Sequence, residues 1–305
     1  MAALLQAPDG SFYGTTENGG TNFDGTIFHF TITKSSSVYT CTNNVPPVIS
    51  SIVSASSYGG YPYFTSGSWL EIKGTNMADA ADPRLSAAVN PGQWTLADFN
   101  GVNAPTVLDG ISVSINGKPA YMWYLSTGQL NVQAPEDATV GNIAIAVTNC
   151  NVTSQPFMLP RQAHAPGLLA PANFYINGKQ YMVATFAADG LYALSASAGA
   201  ALGIASRPAK ANDILIAYGV GFGEVTPALL PGVIEQQGNS LVNPVTVSFG
   251  SVSAPVPYQG LAPNFVGLYE FYIQVPAGLA NGDYQINVAQ SGVALPQTMF
   301  LTVQN

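Results

Sequence analysis

The chain has 305 residues, 47% of them hydrophobic and only 8% charged, with 8 Lys+Arg against 16 Asp+Glu and a net charge of −8. That length suffices for two domains of ordinary size, or three if one is small, while the acidic balance leaves no basic patch for nucleic acid or anionic lipid. No run approaches the roughly 18 uninterrupted apolar residues of a membrane-spanning helix, so membrane insertion by that route is set aside with nucleic acid.

The opening Met1-Ala2-Ala3-Leu4-Leu5 is too short for a signal peptide and lacks its basic flank. Residues 1–38 carry Gly10-Ser11-Phe12-Tyr13-Gly14-Thr15-Thr16, then Gly19-Gly20, then Gly25-Thr26-Ile27-Phe28-His29-Phe30. Two aromatic strands about a glycine turn form a β-hairpin. The segment resembles one unit of the GloVer-type tandem repeat of secreted bacterial proteins. Such repeats bury their apolar face against their neighbours, so the resemblance implies that a lone unit needs another surface. Residues 39–46, ending Asn43-Asn44-Val45-Pro46, read as a linker.

From residue 47 onward the same phrase is written twice. Leu130-Asn131-Val132-Gln133-Ala134-Pro135 followed by Gly141-Asn142-Ile143-Ala144-Ile145-Ala146-Val147 recurs as Phe271-Tyr272-Ile273-Gln274-Val275-Pro276 followed by Gly282-Asp283-Tyr284-Gln285-Ile286-Asn287-Val288. Gln133 and Gln274, like Gly141 and Gly282, are 141 residues apart, so the register survives across the phrase. Upstream, the run Trp69 to Met77 aligns with Ile214 to Phe222, and the block Gly110 to Ala120 with the block Val245 to Pro255. Val or Ile alternates with Ser or Thr in the last pair, the period-two pattern of a strand with one dry and one wet face. The reading is therefore all-β: two tandem immunoglobulin-like β-sandwiches, residues 47–160 and 161–305, preceded by the β-hairpin repeat segment. Ala187 to Ala201, rich in Ala and Ser, is the place for a short helical turn or an irregular crossing.

The residues Trp69 to Met77, Gly117 to Pro119, Leu130 to Pro135, Tyr218-Gly219-Val220-Gly221-Phe222-Gly223 and Tyr258 through Tyr269 carry a family likeness. They resemble the C-terminal domain of large secreted proteins of soil bacteria of acidobacterial type, built from immunoglobulin-like units of the IPT/TIG kind. The resemblance implies a non-catalytic module at the cell surface or outside the cell.

Candidate chemistry is sparse. His29 and His164 are the two histidines, and no Gly-x-Ser-x-Gly elbow accompanies them, so a Ser-His-Asp hydrolase has little to build on. A zinc site fails on ligand spacing. The loop between Ala78 and Asp109 holds Asp79, Asp82, Asp98 and Asp109, hard oxygen donors that suit calcium, or else solvated aspartates that cap turns. Trp94 in that loop, Tyr121 and Trp123 in the run Tyr121-Met122-Trp123-Tyr124, and Tyr61 and Tyr63 in the block Tyr58 to Phe64 either pack in the core or form a platform for sugar rings. Cys41 and Cys150, the latter placed in the last strand of the first sandwich, are either bridged or two buried thiols.

The functional expectation is a structural or adhesive module acting on other protein chains or on copies of itself. One route is β-strand addition, with the segment from Leu5 to Thr33 pairing with an open sheet edge. Extracellular polysaccharide is the alternative partner, and a hydrolase with an unrecognised site the second alternative.

Overall fold

The computed structural model describes residues 5–6, 12–16, 26–30, 41, 44–54 and 60–305. The chain forms two compact units, Met1–Thr40 and Cys41–Asn305. In the first, β1 (Leu5–Gln6), β2 (Phe12–Thr16) and β3 (Thr26–Phe30) make an antiparallel sheet in that order. The expected hairpin is present as β2 and β3, with Phe12 opposite Phe30 and Thr16 opposite Thr26. Leu5 and Gln6 add a third strand against Tyr13 and Phe12, which the two-strand signature does not announce. The Gly19-Gly20 turn, residues 31–38 of the repeat segment, residues 39–40 and 42–43 of the linker, and Tyr58 lie outside the described residues.

The second unit holds the duplicated strands. Its first half runs β4 (Val48–Ser54), β5 (Trp69–Thr75), β6 (Val107–Leu108), β7 (Ile111–Ile115), β8 (Lys118–Pro119), β9 (Tyr121–Leu125), β10 (Gln129–Gln133), β11 (Gly141–Asn149), β12 (Val152–Thr153) and β13 (Phe157–Arg161). One sheet has the order β4-β5-β10-β9 and the other β12-β11-β7-β6, with β13 also on β11 and β8 on β7. Along β7 every second residue is buried, and Ile111, Val113 and Ile115 meet Leu70, Ile72, Leu130 and Val132 of the opposite sheet in one core. Each such side chain contributes about 1.5–3 kcal/mol by leaving water.

The second half runs β14 (Gly167–Leu168), β15 (Tyr175–Ile176), β16 (Lys179–Gln180), β17 (Ala184–Phe186), β18 (Tyr192–Ala193), helix α1 (Ala196–Leu202), β19 (Ser206–Arg207), β20 (Ile214–Val220), β21 (Val225–Thr226), β22 (Ser240–Leu241), β23 (Val245–Phe249), β24 (Val252–Ala254), β25 (Tyr258–Leu261), β26 (Tyr269–Gln274), β27 (Gly282–Gln290), β28 (Val293–Ala294) and β29 (Met299–Val303). Its sheets, β19-β18-β17-β20-β26-β25 and β24-β23-β27-β28 with β29 on β27, enclose a separate core around Leu215, Ala217, Phe249, Phe271, Ile273 and Leu301. The short helix sits in the Ala-rich stretch. Ser195 caps it by accepting from the Ala198 amide at 3.2 Å, and Gly203, at φ 68°, ends it.

Strand for strand, the halves match. Trp69 pairs with Gln133 as Ile214 pairs with Gln274, and Gln129 pairs with Lys73 as Glu270 pairs with Tyr218. One alignment needs correcting. Ile111, Val113 and Ile115 occupy the places of Val245, Val247 and Phe249, because Asn149 and Gln290 are the partners of Ile111 and Val245. That register lies one residue away from the block-for-block alignment of Gly110 with Val245, and a one-residue slip would turn every core side chain outward.

Candidate functional site

The long loop of the first sandwich ends against the second. Leu70 and Ile72 point into the first core, so Trp69 lies on the outward face of β5, yet it is only 8% exposed. Trp94 and Trp123 meet it edge-on, with ring centroids at 5.8 and 5.7 Å, and Phe99 packs on Trp94 at 4.8 Å. Ala104 and Tyr121 on one side, and Leu169, Val220, Ile234 and Val266 on the other, complete this apolar cluster. Edge-to-face ring pairs contribute about 0.5–1.5 kcal/mol each beyond the area they bury.

Polar groups inside the junction are paired across it. The Trp69 indole Nε1 donates to the Val266 carbonyl at 3.1 Å, and the Gly232 amide donates to Gln133 Oε1 at 2.7 Å. The Ala104 amide donates to the Gly232 carbonyl at 2.7 Å, and the Ile234 amide to the Val102 carbonyl at 2.9 Å. Two glycines permit the approach. A Cβ on Gly232, at φ +80°, would fall on the Tyr121 ring, and one on Gly267 would fall on the Gln133 amide. Trp94, Tyr121 and Trp123 are thus half-buried in the junction instead of standing on an open platform. Alternation told which side of the sheet each takes, but not that a second sandwich covers that side.

The four aspartates of the 78–109 loop do not gather around a shared vacancy. Arg84 stands between two of them, its Nη1 and Nη2 each 3.0 Å from an Asp98 oxygen and its Nε on Asp109 Oδ2. Burial alone would lower the Arg84 pKa and raise that of Asp98, but these hydrogen bonds outweigh it, holding the guanidinium charged and the Asp98 carboxyl below its ordinary range. Asp82 accepts the Arg84 amide at 2.8 Å and caps the turn Pro83–Ser86, while Asp79 accepts the Ala81 amide at 3.0 Å. Of the two readings of these aspartates, calcium donors or turn caps, this geometry matches the caps, joined by the Arg84 ion pairs. The loop brings its own cation, and among the described residues no cluster of three or more His, Cys, Asp or Glu is placed to hold a metal.

Tyr61 and Tyr63 stack in parallel, with ring centroids 5.0 Å apart and planes within 3°. Tyr63 lines a cavity of about 350 Å³ with Gln162, His164, Pro166, Gln290 and Leu295. A neighbouring cleft of about 390 Å³ shares Ala163 and His164, and includes Ser66, Glu136, Asp137, Arg161 and Glu224. Arg161 is 6% exposed and occupies the β13 position at which β29 buries Val303, since both face the first glycine of the neighbouring strand. It donates to the Thr139 carbonyl and to Ser66 Oγ. The Thr139 amide and the Asn116 side chain hold the Asp137 carboxyl well below the usual range.

Cys41 and Cys150 are joined, with Cα atoms 5.5 Å apart. Cys150 is not in the last strand, which is β13. It sits in the turn after β11 at φ 59°, where the second copy has Ser291 at φ 51°.

One further cluster has no continuous signature in the sequence. On the outward face of the second sandwich, Tyr218 stands opposite Glu270, and Tyr272 opposite Tyr258. Seeing it requires the register of three strands, because its members are scattered from residue 218 to residue 272. The signal available was alternation, Ile214, Ile216, Tyr218 against Leu215, Ala217 in β20.

No family model matches the chain, and no curated protein does. Among solved structures it is similar to the Bacteroides ovatus mixed-linkage glucan utilization locus protein SGBP-B in complex with a mixed-linkage heptasaccharide, at 9% identity and TM-score 0.33, covering 98% of this chain and 55% of that one. It is similar to Gamma-CGTase from alkalophilic Bacillus clarkii at 12% identity and TM-score 0.24, covering 96% and 31%. Domains 4–9 of the surface layer protein SbsC give 12% identity and TM-score 0.23, covering 98% and 37%. The chain therefore spans less than two thirds of the length of each.

Proposed function

We propose that this chain is a non-catalytic structural module of the cell surface or extracellular space that holds two immunoglobulin-like sandwiches in one fixed orientation and works through contacts with other protein chains. The observation that carries this reading is the junction. Paired hydrogen bonds run across it in both directions, from Trp69 to Val266 and from Gly232 to Gln133, over a dry aromatic cluster. An interface of that kind resists hinge motion, whereas ordinary linkers between domains leave it free. The Cys41–Cys150 link fits an oxidising environment. Membership of the IPT/TIG-type family, with a GloVer-type unit ahead of it, belongs to the same proposal and rests on the residues quoted above.

Small-angle scattering tests it. A single rigid arrangement of residues 41–305 should account for the curve, and Trp69→Ala with Gln133→Ala should spread it into an ensemble of orientations. A wild-type curve that already demands such an ensemble would remove the reading. Self-association by β-strand addition is read separately by light scattering, with and without residues 1–38.

A carbohydrate-binding reading keeps one foothold, the stacked Tyr61 and Tyr63 beside the cavity that Tyr63 lines. Retention on an insoluble polysaccharide that Tyr63→Ala abolishes, at unchanged melting temperature, would favour it.

A further inference from the structure

We propose that the outward face of β20, β26 and β25 is a docking site for an ammonium group, the lysine side chain of a partner chain. This rests on the protein-contact reading above and names the chemistry of the contact. Leu215, Ala217, Phe271, Ile273 and Leu261 point into the core of the second sandwich, which turns Tyr218, Glu270, Tyr272 and Tyr258 to the other side. Glu270 nevertheless is only 8% exposed. A carboxylate on the wet side of a sheet, yet covered, is the unusual feature.

The covering is aromatic. Tyr218 faces Glu270 directly and donates its hydroxyl to Oε1 at 3.2 Å. Tyr258 and Tyr272 face each other one register step away, with ring centroids 5.4 Å apart and planes at 61°. Among the described residues Glu270 accepts no second side-chain hydrogen bond, and no Lys or Arg nitrogen lies within ion-pair distance of it. A carboxylate drawn out of water and left without a cation is costly, and a cation brought by a partner removes that cost. Burial, then Glu270, pushes the Tyr218 hydroxyl up to about 12, and burial followed by Glu270 and Glu235 raises that of Tyr258.

The first sandwich supplies the internal comparison. At the register position of Tyr218 it has Lys73, and at that of Glu270 it has Gln129. Lys73 Nζ lies 2.6 Å from Glu71 Oε1, so this copy carries an ammonium and its carboxylate on one strand. The second copy has Ile216 in place of Glu71 and Tyr218 in place of Lys73, and carries its carboxylate on the neighbouring strand, where the first copy has Gln129. Tyrosine faces and a carboxylate together suit an ammonium, which gains from the ring quadrupoles as well as from the charge. A neutral sugar would meet the rings and leave the charge uncompensated, and an anion would be repelled.

The test is a chemical-shift titration of the full chain with Nα-acetyl-lysine amide, and with its ε-acetylated form as the neutral control. Saturable shifts at Tyr218, Tyr258 and Tyr272 with the first probe and none with the second are expected. Glu270→Gln should weaken binding about tenfold at unchanged melting temperature, and Tyr258→Ala should weaken it in a background that keeps the carboxylate. Absence of saturable shifts at these tyrosines, or undiminished binding by Glu270→Gln, overturns the proposal. Shifts there with cello-oligosaccharide but not with the lysine probe also overturn it and give the face to sugars. The scattering result on junction rigidity does not depend on either outcome.

Discussion

Where β5 of the first sandwich carries Trp69, Glu71 and Lys73 on its outward face, β20 of the second carries Ile214, Ile216 and Tyr218 at the same register positions. The first face is closed at one end by the 78–109 loop and by the other sandwich, which bury Trp69 to 8% exposure. The second face keeps its tyrosines half-buried around Glu270. An inherited strand framework thus leaves the outward positions open to change: the junction takes Trp69 of the first face and Val220 at the end of the second, while the second face keeps its tyrosines outside that cluster. Inward positions changed little in kind, with Ile72 and Ala217, or Val132 and Ile273, serving the same purpose.

The largest expected break in the comparison is covalent. The copies share a tight turn after their longest strand, but Cys150 ties the first turn to Cys41, 109 residues earlier, and Ser291 ties nothing. Cys41→Ser with Cys150→Ser should lower unfolding stability by about 4–5 kcal/mol on the loop-closure account, read by denaturant titration against untreated and reduced wild type. A loss under about 1 kcal/mol would mean that the loop is already closed by other contacts.

Trp69→Ala comes next. Removing a buried Trp from a packed cluster should cost about 3–5 kcal/mol, whereas Ile214→Ala, at the matching but half-buried position, should cost clearly less. Equal losses would show that the junction adds little to the stability of the first sandwich.

Acid sharpens the contrast further. Asp137 and Asp98 have carboxyls held below their ordinary 3.8 by Thr139 and Asn116 in one case, and by Arg84 and Thr95 against burial in the other. A depressed folded pKa means stability that is present above the unfolded value and lost as pH falls through the folded one. Asp82, pushed up by burial, works in the opposite direction and offsets part of this. The melting temperature should therefore hold steady from neutrality to about pH 5, fall below about pH 4, and fall less steeply in Asp137→Asn.

The smallest effect concerns the shared turn itself. Ser291 adopts φ 51°, a conformation that glycine takes without strain. Ser291→Gly should stabilise by up to about 1 kcal/mol, visible as a small rise in melting temperature.

Strand content and duplication were legible in the sequence because period-two alternation and turn glycines are local signals. Gln133 and Gln274 held their register across 141 residues, and the structure gives them equivalent partners. The fate of Trp94, Tyr121 and Trp123 was not legible, since alternation assigns a side of the sheet and says nothing of what lies on that side. The ion pairs of the acidic loop were hidden for a related reason. Counting Asp79, Asp82, Asp98 and Asp109 as donors left out Arg84, whose place among them is fixed only when the loop folds back on itself. Glu270 and its tyrosines stayed hidden because three separate strands must pair before they meet.

The aromatic seam between the sandwiches also governs how the molecule can be dissected. A fragment cut after Arg161 would keep its own core yet uncover Trp69, Trp94, Phe99 and Trp123 together, and orphan the Gln133 acceptor and the Trp69 donor. Such a half should be sticky and poorly soluble when produced alone, so the tandem pair is the smallest piece suited to recombinant work.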